Sequence, residues 1–216
     1  MPIDRKSILK AVDEAKKGGK KRKLNQAVDV VFTLRDIDLK RPENRINELI
    51  ELPHPSKPKV QIIVFAGGDL ALRAQKAGAN MVMGREDIER FANDKKGAKK
   101  LVKDTDFFLA ETTLMATVGK VLGPVLGPRG KMPTPVPPTA PIDAVVERHR
   151  KSARVRIREQ LSTQVSVGTE DMSDEVIADN IQAVVALLER RLEKGLKNIR
   201  NAYVKTTMGA PTKIEL

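Results

Sequence analysis

The chain carries 40 Lys and Arg against 28 Asp and Glu in 216 residues, a formal net charge of +12, with 40% apolar residues, no Cys, no Trp, one Tyr and two His. The apolar share supports a core in one large or two small domains, and the cation excess predicts a polyanionic partner, most often nucleic acid. Missing Cys excludes disulfides, thiolate chemistry and Cys-ligated zinc, while the scarcity of aromatics argues against a face that stacks unpaired bases and for recognition of folded shape and phosphates.

From the N-terminus, Ile8, Leu9, Val12 and Ala15 share one face of an amphipathic helix that stops at Gly18 and Gly19. The run lacks the apolar centre of a signal peptide, and no segment of the chain approaches the roughly 18 to 20 apolar residues of a bilayer span, so no membrane association and a cytosolic location are expected. KKGGKKRK follows, with Lys16, Lys17, Lys20, Lys21, Arg22 and Lys23 around a glycine turn. It is either a solvated charge run or a phosphate contact. Alternation of Val28, Val30, Phe32 and Leu34 with polar positions predicts a strand with one buried side. INELIEL predicts a second strand, and Pro53, Pro55 and Pro58 mark a boundary.

The texture then changes. VQIIVFA is a continuous apolar run ending at Gly67 and Gly68, and short apolar strands alternate with helices through TDFFLAET, as in a parallel sheet covered on both faces. LGPVLGPRGKMPTP comes next, followed by a helical pattern in PTAPIDAVVERHRK. Near Lys151 the texture changes back. ARVRIRE puts Arg154, Arg156 and Arg158 on one face and Val155 and Ile157 on the other, and VSVGTEDM predicts another strand. SDEVIADNIQAVVALLERRLEKG is a helix with Ser173 as its N-cap and a stripe of Ile177, Ile181, Val184, Val185 and Leu188. AYVKTTM is a last strand, ending at Met208 and Gly209. The pattern predicts an α/β domain over 56–150 inserted into an α+β domain built by both chain ends, 1–55 and 151–216.

Catalytic motifs are weak. FAGGD follows a strand but matches neither G-x-G-x-x-G nor the Walker pattern, so a plain strand-to-helix turn outweighs a cofactor site. Asp94 with Asp104, and Glu170 with Asp171, have no spacing that favours acid–base work over solvated turns. His54 and His149 are each expected in a loop or at the surface, with no metal between them. Gly127, Gly130 and Lys131 imitate a phosphate cradle, yet Pro128, Pro133 and Pro135 remove the backbone donors a cradle uses. An extended loop of fixed shape is the better reading, and Arg129 and Lys131 could present charge to an anion. Thr206, Thr207, Met208 and Gly209 offer hydroxyls, a flexible apolar side chain and bare backbone suited to a ribose-rich surface, against the plainer reading of a strand end with a turn.

LGPVLGPRGKMPTP, preceded by DFFLAETTLMATVGK and followed near the C-terminus by IRNAYVKTTMG, resembles the L-one family of large-subunit ribosomal proteins, which build the mobile lateral stalk. KRPENRINELIELPH is similar to the archaeal and eukaryotic branch, the archaeal more closely, and the resemblance spans essentially the whole chain. It implies a split β-α-β domain with an antiparallel sheet from both chain ends, an inserted Rossmann-like three-layer domain, and a flexible double connection. It implies no enzyme and no cofactor. Expected partners are large-subunit rRNA, exit-site tRNA and the protein's own mRNA, in its leader or coding region, whose translation it would repress; the free protein would be monomeric. The resemblance places RNA contacts at Thr207, Met208 and Gly209 with Asn201 on the same strand, and at Lys23, Leu24, Asn25 and Ala27 with Gly168 and Thr169 in a nearby turn. Leu24 stands where the family commonly has an aromatic, and Ala27 where a hydroxyl residue is common. Arg129 and Lys131 are candidate tRNA or anion contacts. The alternatives are an α/β enzyme or binding protein for a phosphorylated or nucleotide ligand, and a general basic nucleic-acid binder.

Overall fold

A computed structural model describes residues 4–19, 23–41, 44–92 and 94–215. Its elements in chain order begin with α1 (Arg5–Lys17), β1 (Ala27–Leu34), β2 (Ile46–Glu51), β3 (Ile62–Phe65), α2 (Gly68–Lys76), β4 (Met81–Met83) and α3 (Arg85–Arg90). They continue with α4 (Lys95–Asp104), β5 (Phe107–Glu111), α5 (Met115–Val121), α6 (Gly123–Leu126), β6 (Thr134–Val136) and α7 (Ile142–Arg150). The last are β7 (Ser152–Ile157), β8 (Ser162–Thr169), α8 (Asp174–Arg191), β9 (Ile199–Thr206) and β10 (Thr212–Ile214). The chain divides into two compact units, Met1–Pro58 with Lys151–Leu216, and Lys59–Arg150.

The first unit is a split α+β fold. Its antiparallel sheet has the order β10-β9-β1-β8, and β2 pairs antiparallel with β7 in a separate ribbon. Alternation along β1 sends Val28, Val30, Phe32 and Leu34 into the core, where Ala202 and Val204 of β9 and Val165 and Val167 of β8 join them. Helices α1 and α8 cover this face with Ile8, Ala11, Val12 and Ala15 from one and Ile177, Ile181, Val184 and Leu188 from the other. Each fully buried large aliphatic contributes about 1.5–3 kcal/mol, which fixes a period-2 register against two period-3.6 stripes. Asp4 caps α1, accepting from the Lys6 amide at 3.3 Å. Ser173 stands at the N-cap of α8 with extended backbone angles, but its hydroxyl makes no capping bond.

Buried Asn180 ties the segment after β2 to α8 and β8. Its carbonyl accepts from the His54 amide at 3.0 Å, and its Nδ2 donates to the carbonyls of His54 at 3.0 Å and Val167 at 2.7 Å.

The second unit has three layers. Its sheet, of order β4-β3-β5-β6, is parallel throughout, and all four residues of β3 are buried. Ile63, Phe65, Phe108 and Ala110 pack against Ile88, Ala98, Val102, Val118 and Leu126 of α3 to α6, with the Phe65 and Phe108 rings stacked at 5.8 Å. Ile62, Val64 and Leu109 occupy the other strand positions, buried like Leu70 and Ala74 of α2 and Val146 of α7; period-2 alternation turns them to the opposite face.

Two local expectations fail here. LGPVLGPRGKMPTP is not an extended loop throughout, because Gly123–Leu126 forms a helical turn with proline in its first positions, where the missing amide costs nothing, and Thr134–Val136 becomes the edge strand β6. His149 is not a surface residue. It is buried on α7, with Nδ1 at 2.7 Å from the Val145 carbonyl and its ring edge-on to Phe107 at 5.7 Å. His54 does lie in a loop, its side chain 42% exposed and 3.8 Å from Asp179.

Candidate nucleic-acid interface

Strand β1 lies between β8 and β9 and runs antiparallel to both, so the start of β1 meets the ends of its two neighbours. Ala27 is opposite Thr169, and Val28 is opposite both Gly168 and Thr206. One end of the sheet therefore gathers three segments that are far apart in sequence: 23–27, 168–172 and 206–209.

Thr207 joins the first and last of these. Its amide donates to the Ala27 carbonyl at 3.0 Å, and its hydroxyl lies 3.2 Å from the Ala27 amide and 3.3 Å from the Ala27 carbonyl. The side chain thus extends the strand ladder past its last backbone pair. The turn at Gly209, whose amide donates to the Thr206 carbonyl at 3.1 Å, leaves Met208 61% exposed. Leu24, at the same sheet end, is 57% exposed. Exposed apolar side chains that converge mark a contact surface more often than scattered ones do. Lys23 is exposed beside Leu24, and the Lys205 ammonium lies 3.3 Å from the Thr207 carbonyl.

Gln26, which the sequence did not single out, is the hub of this surface. It is almost fully buried; its side-chain carbonyl accepts from the Met208 amide at 3.1 Å, its Nε2 donates to Glu170 at 3.3 Å, and its backbone carbonyl accepts from the Glu170 amide at 2.9 Å. One polar side chain thereby fixes all three segments. Its only sequence signal is a polar residue directly before an alternating strand. Asn25 donates to Asp171, so the two acids nearest the surface are engaged by amide side chains. Lys16 donates to the Met172 carbonyl at 2.5 Å and to Asp174 at 2.6 Å, which makes its charge an internal strut.

The two glycines have packing reasons. A Cβ at Gly168 would lie 3.0 Å from Ile177 Cγ1 and 3.1 Å from Met172 Sδ, and one at Gly209 would lie 2.3 Å from Thr206 Oγ1. That Thr206 hydroxyl is buried and has no hydrogen-bond partner.

Nine of the ten expected RNA-contact residues thus meet at one sheet end, Lys23, Leu24, Asn25, Ala27, Gly168, Thr169, Thr207, Met208 and Gly209. Asn201 does not. It sits opposite Thr33 at the far end of β9, about 20 Å along the strand from Thr207. It shares the open sheet face with Tyr203 and Lys205, at positions that alternate with buried Ala202 and Val204. Lys20, Lys21 and Arg22 of KKGGKKRK lie outside the described residues.

On the ribbon, Arg154 and Arg156 occupy alternate positions opposite Leu49 and Asn47. Burial first, and then the neighbouring Arg156 charge, lowers the Arg154 pKa.

In the second unit, Arg129 and Lys131 turn inward to helix α4. Lys131 Nζ donates to the carbonyls of Thr105 at 2.5 Å and Val102 at 2.9 Å, and Arg129 Nη1 donates to the Lys99 carbonyl at 3.3 Å. At FAGGD the Gly67 amide donates to Glu111 Oε2 at 3.1 Å. A carboxylate at the start of α2 is the wrong charge beside a phosphate. No group of three or more His, Cys, Asp or Glu that could hold a metal occurs among the described residues, and no helix there is long and apolar enough to cross a membrane.

Residues 11–210 match the family model described as the ribosomal protein L1p/L10e family. The large ribosomal subunit protein uL1 of Methanocella arvoryzae is 45% identical over 97% of this chain and 99% of its own length. Those of Methanobrevibacter smithii and Thermofilum pendens are each 44% identical, over 94% and 96% of this chain and 95% and 92% of their own lengths. Matched in sequence over 94–97% of its length by these archaeal proteins, and built as the two-unit α/β fold described above, the chain belongs to the ribosomal protein L1p/L10e family, whose members are structural and not enzymatic.

Proposed function

We propose that this structural protein of the large ribosomal subunit binds large-subunit rRNA of the lateral stalk through the sheet end formed by 23–27, 168–172 and 206–209. The observation that carries the reading is the convergence of exposed Met208 and Leu24 with Lys23 on a frame tied by Gln26 and Thr207. Rigid support matters here, because a folded RNA site is recognised by shape, and a surface that is already ordered loses little entropy on binding. Lys23 and Lys205 neutralise phosphates, while Met208 and the adjoining backbone contact ribose and base edges in the shallow groove. Asn201, at the other end of β9, belongs to this interface only where the RNA extends along the open sheet face.

Two further activities belong to the same reading: assisting release of deacylated tRNA from the exit site, and repressing translation of the protein's own mRNA through an RNA fold that mimics the rRNA site. Repression follows from this RNA-recognising surface used on a second RNA, and tRNA release follows from its anchoring the chain on the stalk.

The test is selective retention. Purified chain mixed with fragments of large-subunit rRNA at physiological salt and excess unrelated tRNA should retain one stalk fragment, and an mRNA fragment should compete only if it folds similarly. Equal retention of all fragments contradicts the reading and leaves a general basic nucleic-acid binder.

A further inference from the structure

Helix α4 of the second unit carries Lys95, Lys96, Lys99, Lys100 and Lys103, all exposed, in ten residues. At 100° per residue the five occupy an arc of about 140°, adjoining the face that buries Ala98 and Val102. No ion pair to any of them occurs among the described residues, although acids are at hand elsewhere in this unit. Arg73 pairs with Asp69 on α2, Arg85 with Glu89 and Arg90 with Asp87 on α3, and Arg150 with Glu147 on α7. Of the two acids at the ends of α4, Asp94 is committed to the N-cap, where it accepts from the Gly97 amide at 2.9 Å. The lysines at 95/99, 96/100 and 99/103 are like-charged neighbours one turn apart, which disfavours the helix.

The neighbouring glycine- and proline-rich segment compensates for that. Lys131 donates to the carbonyls of Val102 and Thr105 at the end of α4, which satisfies carbonyls the helix cannot pair itself and offsets its negative pole, and Arg129 adds a contact to the Lys99 carbonyl. A helix that repels itself is thus held in place from outside.

We infer that the α4 lysine arc is a second nucleic-acid surface, one that takes the phosphate backbone of a folded RNA without reading its sequence. Charges that recur every turn, about 5.4 Å apart along about 12 Å of helix, suit a polymer of phosphates better than a single anion. Lysines act as point charges that neutralise without the planar geometry needed to read a base. The surface is separate from the sheet end, being in the other unit, and does not depend on it.

The experiment compares the full chain, K96Q/K99Q/K100Q/K103Q, the matching Lys→Arg variant and Met208→Asp for binding to a 20-base-pair RNA duplex of unrelated sequence, across a salt series. A scattered control, K6Q/K10Q/K194Q/K197Q, removes the same net charge elsewhere. At about −0.9 per neutralised phosphate, the α4 Gln variant is expected to lower the salt slope by about 3 and weaken binding about tenfold at low salt. The Arg variant should keep the wild-type slope, and Met208→Asp, which adds one negative charge, and the scattered control should each change it by no more than about one. The Gln variant should melt no lower than wild type, since it relieves repulsion on an exposed face. A slope reduction below two, or one equalled by the scattered control, overturns the inference and leaves an acidic protein surface as the partner of this helix. Loss of stalk-fragment binding in Met208→Asp alone tests the sheet end and leaves this conclusion untouched.

Discussion

At the residue scale the sheet-end surface depends on a few contacts with separable roles. The Thr206 hydroxyl is buried and unpartnered, and it is what a Cβ at Gly209 would strike at 2.3 Å, with Thr206 Cβ itself at an ordinary 3.5 Å. Gly209→Ala should therefore lower unfolding stability by about 1–3 kcal/mol in urea denaturation, and adding Thr206→Ala should recover most of what the Gly209 change removes. Thr206→Val alone should be neutral or slightly stabilising, because it deletes a polar atom that has no partner. Additive losses in the double variant would show that Gly209 is constrained by something other than this hydroxyl. Gln26 has the opposite character: Gln26→Leu leaves the Met208 amide and the Glu170 carboxylate without their partner, so it should cost about 1–3 kcal/mol of stability and loosen the 206–209 turn in hydrogen exchange.

At the element scale, Lys131 ties the family-like LGPVLGPRGKMPTP segment to the end of α4. Lys131→Met keeps the aliphatic stem but removes the donor to the Val102 and Thr105 carbonyls, and should lower the stability of the second unit by about 1–3 kcal/mol, seen as a shifted denaturation midpoint. Much of the element pattern was legible in the sequence, because β1, α1 and α8 alternate or repeat with unambiguous periods and bury what those periods predict. What was not legible depended on tertiary partners. The proline-rich segment reads as extended locally, yet Gly123–Leu126 closes a helical turn because Leu122 and Leu126 have a core to enter. Arg129 and Lys131 read as charges offered to an anion; only the packing of α4 beside them shows that carbonyls of this chain take them. His149 reads as polar, and its burial is set by Val145 and Phe107. The reach of Gln26 into three segments has no local signature at all.

At the scale of the whole molecule, both chain ends build the unit that carries the proposed rRNA surface, and the middle builds a parallel three-layer unit with a cationic helix of its own. A net charge of +12 guarantees attraction to any RNA at low salt, so affinity for RNA in itself decides little. In the proposed reading specific recognition comes from shape, presented at the sheet end by the exposed apolar Met208 side chain. The most direct measurement is the affinity of Met208→Asp for the stalk rRNA fragment by filter binding at physiological salt, with circular dichroism to confirm the fold. A loss of at least about 2 kcal/mol, roughly 30-fold in Kd, with the fold intact is the predicted result; near wild-type affinity would contradict the assignment of the rRNA surface to this end of the sheet.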